Sequence, residues 1–511
     1  MQARLDSAKT SAERNKMGQF ATPPALAMEV VRYARSIFPR SAKARFMDPA
    51  FGTGSFYSAL LATFPAGRIA TAIGFEIDPH YGKGAAQLWG ETALDLRIAD
   101  FTKAVPPDSE ARKPNLIVCN PPYVRHHHLS ADEKPRLRRL AQRAAGVDMN
   151  GLSGLYCYFL AAAHAWMAKD ALAVWLVPSE FMDVNYGRPL KEYLLGRVKL
   201  LRIHRFDPTD VQFDDALVSS AVVCFANAQS QANHCAEFTY GGTLAAPKAS
   251  AAVVVDTLRS TKKWTCLAST GNRERPGNGA RISDLFTIRR GIAAGSNEFF
   301  ILTKEAASGL PREFLRPILP SPRYLKTDTI EADESGNPVM DEPLFLLDCS
   351  LPETQVRQRF PRLWECLEKG RRAGIHTGYL CRHREPWYSQ EARPPAPLLC
   401  TYMGRKDKAG GAFRFILNKS RAIAANVYLM LYPKPALARQ IKKSHDLLAE
   451  IWRALNSIPP ESLIGAGRVY GGGLYKMEPK ELADAPADAM VAVLPENLAS
   501  EQTLFALNPT R

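Results

Sequence analysis

The 511-residue sequence has no CxxC pair; its nine cysteines are scattered, which argues against both a disulfide framework and a zinc site. It has no apolar leader either: Asp6, Lys9, Glu13, Arg14 and Lys16 interrupt the first twenty residues, so no signal peptide is expected there. No apolar run reaches membrane-spanning length, because the most apolar stretch, residues 159–177, is broken by His164, Lys169 and Asp170. Internal repeats and low-complexity tracts are also missing. With 46% hydrophobic and 23% charged residues, what remains is a soluble chain of more than one domain, expected in the reducing cytoplasm with no membrane and no metal.

Acidic residues are the minority. The formal net charge is +15, which points to a polyanionic partner, and its distribution is uneven. Residues 1–230 carry 28 Lys and Arg against 22 Asp and Glu, whereas residues 371–421 alone carry 11 against 3. A concentrated basic stretch favours a nucleic-acid surface over generic solubility.

From residue 41 to about 226, short apolar runs alternate with helical stretches. Strands are predicted over 44–47, 70–75, 116–119, 171–177, 200–206 and 220–225, with helices after Gly54 and over 79–88, 154–168 and 189–195. That alternation predicts an α/β, doubly wound, mainly parallel sheet. The last two strands leave no room for a helix between them, so a terminal antiparallel hairpin is expected. The texture changes near residue 230, and residues 231–511 are read as a separate α+β domain.

Several motifs sit at predicted strand ends. Asp48-Pro49-Ala50-Phe51-Gly52-Thr53-Gly54 follows a strand and opens a helix, where glycines let the backbone approach a ligand. No lysine follows, so this is not a phosphate-binding P-loop. The next strand ends in Glu76-Ile77-Asp78, and an acid at that tip can accept hydrogen bonds from two ribose hydroxyls. Asp100-Phe101 ends another extended run; a carboxylate beside an aromatic ring can hold an adenine by its amino group and its face.

Asn120-Pro121-Pro122-Tyr123 directly follows an apolar strand. Alone it could be a rigid turn, since two prolines fix the backbone and remove donors. The same poverty of donors suits chemistry on an amino group. An exocyclic adenine nitrogen is a weak nucleophile, and the Asn120 side-chain oxygen with the Pro121 carbonyl can accept its two hydrogens, freeing the lone pair to attack a methyl donor. Positioning and electrostatics then suffice.

The order of these motifs resembles that of the gamma-class, TaqI-type amino-methyltransferases of restriction-modification systems. The resemblance covers roughly residues 15–226 and implies a Rossmann-like S-adenosylmethionine (SAM)-dependent methyltransferase domain over 1–230 and a C-terminal target-recognition domain over 231–511. It implies that Phe20 and Thr22 line the methionine end of SAM, joined by Asp48, Ala50, Gly52 and Gly54, with Glu76 and Ile77 at the ribose, Asp100 and Phe101 at the adenine, and Asn120 beside the cofactor. It further implies that Asn120, Pro121, Pro122 and Tyr123 form the catalytic loop and that Tyr123, Phe159 and Phe213 surround a target adenine flipped out of double-stranded DNA. The loop before Val218 is one residue longer than in the family's pattern, which bears on Phe213.

Other residues take blander roles. Three consecutive histidines, His126 to His128, cannot easily converge on one ion, so they and Arg125 are expected to face DNA. Lys134 to Arg143 holds five basic side chains at near-helical spacing, read first as a solvated face and second as a phosphate contact. In the C-terminal half, residues 288–300 resemble a segment of target-recognition domains, with glycines expected to form a tight loop displaying Arg289, Arg290 and Asn297. Arg405, Lys406 and Lys408 belong to the basic, aromatic-rich stretch expected on the duplex. Competing functions remain RNA or protein-glutamine methylation, or a non-catalytic specificity subunit. A cognate restriction endonuclease, where one exists, is expected on another chain.

Overall fold

In a computed structural model of the chain, the described residues are 1–208, 210, 212, 219–231, 233–265, 267–268, 280–407, 410–444 and 446–495. They form two compact units, residues 1–272 with 470–473, and residues 273–469 with 474–511.

The first unit is built on a nine-stranded sheet. Its strands are β1 (Ala44–Asp48), β2 (Ile69–Glu76), β3 (Leu94–Ile98), β4 (Leu116–Cys119), β5 (Leu172–Pro178), β6 (Lys199–Arg205), β7 (Ser220–Ala226), β8 (Cys235–Gly242) and β9 (Pro247–Val254), in the order β3-β2-β1-β4-β5-β7-β6-β8-β9. β1 to β5 are mutually parallel, and β7 is inserted antiparallel between β5 and β6. This is the Rossmann-like arrangement expected, hairpin included.

Both faces of the sheet are covered, which is why its central strands are apolar throughout. In β5, Leu172, Val174 and Leu176 enter one core and Ala173, Trp175 and Val177 the other. On the first face pack α3 (Pro24–Ile37), α4 (Ser55–Thr63) and α5 (Pro79–Trp89); on the second pack α6 (Glu133–Ala145), α7 (Leu155–His164) and α8 (Arg188–Gly196). Two short helices come first, α1 (Gln2–Ser7) and α2 (Ser11–Met17). The second of these is a capping-box helix: the Thr10 side chain accepts from the Glu13 amide while Glu13 reaches back to the Thr10 amide.

The boundary expected near residue 230 is displaced by the structure. β8 runs parallel to β6, with Arg202 opposite Glu237, and β9 pairs antiparallel with β8, so residues 235–254 continue the first sheet. An edge hairpin follows β7 without a helix between, and the loss of βα alternation in sequence does not mark the end of this unit.

The second unit is α+β. It contains a five-stranded mixed sheet that includes β10 (Phe286–Arg290), and two three-stranded sheets, one of which pairs Met403–Arg405 with Leu474–Lys476. Among the described residues no helix is long and apolar enough to cross a membrane.

Candidate active site

The C-terminal ends of β1, β2 and β4 converge on a cavity of about 300 Å³. Loops after parallel strands open on one edge of the sheet, and ligands of open α/β sheets bind there. The cavity is lined by Phe20, Thr22, Asp48, Ala50, Gly52, Glu76, Ile77, Asp100, Phe101, Asn120, Pro122 and Phe159, so residues up to 139 positions apart in sequence meet in one wall.

The turn after β1 is shaped by its glycines. Gly54 has φ +91°, and a Cβ there would lie 2.5 Å from the Trp89 indole nitrogen. Gly54 does not line the cavity. Expected among the cofactor contacts, it instead makes the tight turn and admits Trp89, whose Nε1 donates to the Thr53 carbonyl at 2.8 Å.

Two buried carboxyl groups stand at strand ends. Both Glu76 oxygens accept backbone amides at 2.8 Å, Oε2 from Gly52 and Oε1 from Asp78, which ties the glycine turn to the tip of β2. Burial raises the Glu76 carboxyl above its ordinary range despite those bonds. Asp48 is 1% exposed, and burial raises its carboxyl to about 7, opposed by the Ala50 amide and the Cys119 thiol. An acid with a raised folded value binds protons that the unfolded chain has released. Its cost to folding is complete above pH 7 and fades as pH falls toward the ordinary value of 3.8. Asp48→Asn is therefore expected to raise the melting temperature of the ligand-free protein at pH 8 and to change it little at pH 4, as read by scanning calorimetry.

Asp100 Oδ1 accepts from the Thr102 amide at 2.9 Å and the Thr102 hydroxyl at 2.7 Å. Phe101 is buried, its ring 5.5 Å from Phe159, 5.3 Å from Phe75 and 5.7 Å from Trp166. Phe159, on α7, thus borders the cavity as part of an aromatic cluster.

Asn120 is fixed by its amide nitrogen. Nδ2 donates to the Phe20 carbonyl and to Thr22 Oγ1, both at 3.1 Å, while Oδ1 is buried with no partner among the described residues. A buried carbonyl oxygen left unpaired costs about 1–3 kcal/mol, so such an atom calls for an external donor. The N-terminal segment also clamps the loop. Gly18 has φ +64°, its carbonyl accepts from the Tyr123 amide at 3.1 Å, and a Cβ on it would lie 2.5 Å from that nitrogen.

Tyr123 is placed differently from the expectation. Its ring lies in the core beside Phe20 at 5.6 Å, does not line the cavity, and its hydroxyl donates to the Leu176 carbonyl at 3.1 Å. That bond to the neighbouring strand turns the ring into the wall. Tyr123→Phe is expected to cost about 1 kcal/mol of stability, measured by denaturant unfolding. Pro121 is buried and is likewise not a lining residue. Phe213 and Lys408 lie outside the described residues.

The cavity also takes residues that the motifs did not mark. Gln2 and Asp6 of α1 line it, Asp6 Oδ1 accepting from the Tyr81 hydroxyl at 2.9 Å, and Lys9 pairs with Asp78. His128, expected to face DNA, lines it together with Leu129 and Glu133, and so do Arg136 and Leu137 from the stretch 134–143 read as a solvated or phosphate-facing helix. The Thr10–Glu13 capping box was the available sign of the N-terminal helices. Among the described residues no group of three His, Cys, Asp or Glu side chains is placed to hold a metal.

Arg125 is exposed beside the loop of Asn120 to Tyr123. In the second unit Arg289 and Arg290 are exposed but stand on β10, where Arg290 pairs with Leu429, and not in a glycine loop. The Arg290 guanidinium lies 3.9 Å over the Tyr402 ring, which Lys476 also approaches at 5.1 Å. Exposed Lys406 lies 5.8 Å from the Tyr475 ring, and exposed Arg405 is on the adjacent strand. Asn297 is exposed at the start of a short helix, away from that group in sequence.

Residues 83–212 match the family described as Eco57I restriction-modification methylase, and residues 272–504 match the family described as the C-terminal domain of the type II methyltransferase M.Eco57I. The type II methyltransferase M.XamI of Xanthomonas campestris pv. amaranthicola is 28% identical, over 86% of this chain and 79% of its own. M.AccI of Acinetobacter calcoaceticus is 25% identical, over 92% and 85%. Among solved structures, the type IIL restriction-modification enzyme MmeI in complex with DNA shares the fold with a TM-score of 0.53 and 13% identity, covering 98% of this chain and 68% of its own.

Proposed function

We propose that this chain, whose two halves resemble the Eco57I-type restriction-modification methylases, transfers a methyl group from SAM to the N6 amino group of an adenine in double-stranded DNA. The observation that carries the reading is Asn120 Oδ1, buried, unpaired among the described residues and held in place from behind by Phe20 and Thr22. An acceptor so fixed recognises an N–H donor, and an adenine amino group supplies two.

The cavity residues fit the cofactor. Glu76 stands where it can take ribose hydroxyls, Asp100 where it can take the adenine amino group, and Phe101 and Phe159 offer aromatic surface beside it. Asp48 supplies a carboxyl able to pair with the ammonium of the methionine end. When bound, SAM supplies an electrophilic methyl group on a sulfonium sulfur. Asn120 draws one amino hydrogen, which moves the target nitrogen toward tetrahedral geometry and exposes its lone pair. The preorganised site needs no protein nucleophile. The second unit reads the DNA sequence, with Arg290, Arg405 and Lys406 among its phosphate or base contacts. Acting on DNA, the enzyme works in the cytoplasm, and any cognate endonuclease is a separate chain.

Methyl-labelled SAM offered with unmethylated DNA, RNA and a glutamine-bearing protein tests this. Label is expected in N6-methyladenine from DNA alone. Label in N4-methylcytosine, in RNA or in protein would overturn the reading.

A further inference from the structure

We propose that Arg136 is a positioning residue for the cofactor's adenine, acting through Thr102 on Asp100; the inference rests on the SAM-binding reading of the cavity. Arg136 lies on α6, one face of which buries Leu137, Ala141 and Ala145. That packing sends the Arg136 side chain over the cavity. Its Nη1 donates to the Thr102 carbonyl at 3.1 Å and its Nη2 to Thr102 Oγ1 at 2.9 Å. With its acceptor site filled by the guanidinium, the Thr102 hydroxyl hydrogen is directed to Asp100 Oδ1, 2.7 Å away. The Thr102 amide occupies the same carboxylate oxygen.

The consequence is a carboxylate held by one oxygen. Asp100 Oδ2 takes no direct hydrogen bond among the described residues and has only longer charge contacts, 3.6 Å to Lys103 and 3.9 Å to Arg136. Glu133, 3.9 Å from the same guanidinium nitrogen and also in the cavity wall, balances its charge. The planar fork of arginine holds two acceptors in one fixed geometry, which the freely rotating ammonium of a lysine does not impose. α6 therefore completes the adenine side of the site and orients the group that recognises a 6-amino substituent. Arg136 is in this role a cavity residue and not a phosphate contact.

Calorimetric titration with S-adenosylhomocysteine and with its inosine counterpart, which carries a 6-oxo group in place of the amino group, tests this without catalysis. The wild type is expected to prefer the adenosine compound on the order of tenfold or more, because a 6-oxo group would face a carboxylate. Arg136→Ala should bring that preference close to unity while DNA affinity and its salt dependence stay unchanged. Arg136→Lys should fall between. Thr102→Val, which removes the hydroxyl relay and no charge, should also erase the preference, and it serves where Arg136→Ala does not fold. Retention of full discrimination in folded Arg136→Ala or Thr102→Val overturns the inference. So does a reduced salt slope of DNA binding in Arg136→Ala with unchanged discrimination, the signature of a phosphate contact. A wild type that binds neither compound overturns the underlying cofactor reading instead.

Discussion

Asn120→Ala is expected to lower kcat for DNA methylation by at least about 100-fold, the scale of removing one preorganised polar group from a transition-state site. Binding of S-adenosylhomocysteine should change only a few-fold. The two ends of the Asn120 side chain have separate roles. The amide nitrogen bonds inward to Phe20 and Thr22 and fixes the rotamer, while the oxygen is the end left for a substrate hydrogen. Asn120→Asp separates these roles. It keeps an acceptor but places an oxygen against the Phe20 carbonyl, so that orienting bond is lost and only the Thr22 hydroxyl can turn to donate to it. Its activity should lie between those of wild type and Asn120→Ala. If Asn120→Ala abolishes cofactor binding along with turnover, the residue acts through the N-terminal segment and not on the substrate.

The second large effect is expected at Glu76. Glu76→Ala should weaken S-adenosylhomocysteine binding by about 100-fold or more, the loss of a charged acceptor for hydroxyl groups. It should also destabilise the protein by roughly 3 kcal/mol, because the amides of Gly52 and Asp78 lose their partner together. Glu76→Gln retains the shape, yet its single carbonyl oxygen can serve only one of those amides. Its stability should fall less than that of Glu76→Ala, while its affinity stays low. Calorimetric titration and denaturant unfolding of the same samples read both quantities. Unchanged affinity in a folded Glu76→Gln would place the ribose elsewhere.

The two effects also show what the sequence carried. The strand-end motifs were legible because each lies just after an apolar run whose buried faces make it a central strand. β4, from Leu116 to Cys119, is buried at every position and delivers Asn120 directly to the sheet edge. β9 was not legible for the opposite reason. Its exposed and part-buried residues alternate, as on a solvated edge, so no apolar run announces a strand. The motif suggests a Tyr123 ring facing a base, whereas its bond to Leu176, 53 residues away, holds the ring in the wall. α6 was read from its charges, whereas Leu137, Ala141 and Ala145 decide which charges face the cavity. The composition of a helix names its surface residues, and the packing of its apolar stripe decides which way each of them points.

The most direct test of the account is the base composition of DNA from a host without adenine methylation that expresses either the wild-type chain or Asn120→Ala. The account predicts N6-methyladenine, confined to one sequence context, with the wild type and none with the variant. N4-methylcytosine in place of N6-methyladenine, or the same N6-methyladenine with both proteins, would contradict it.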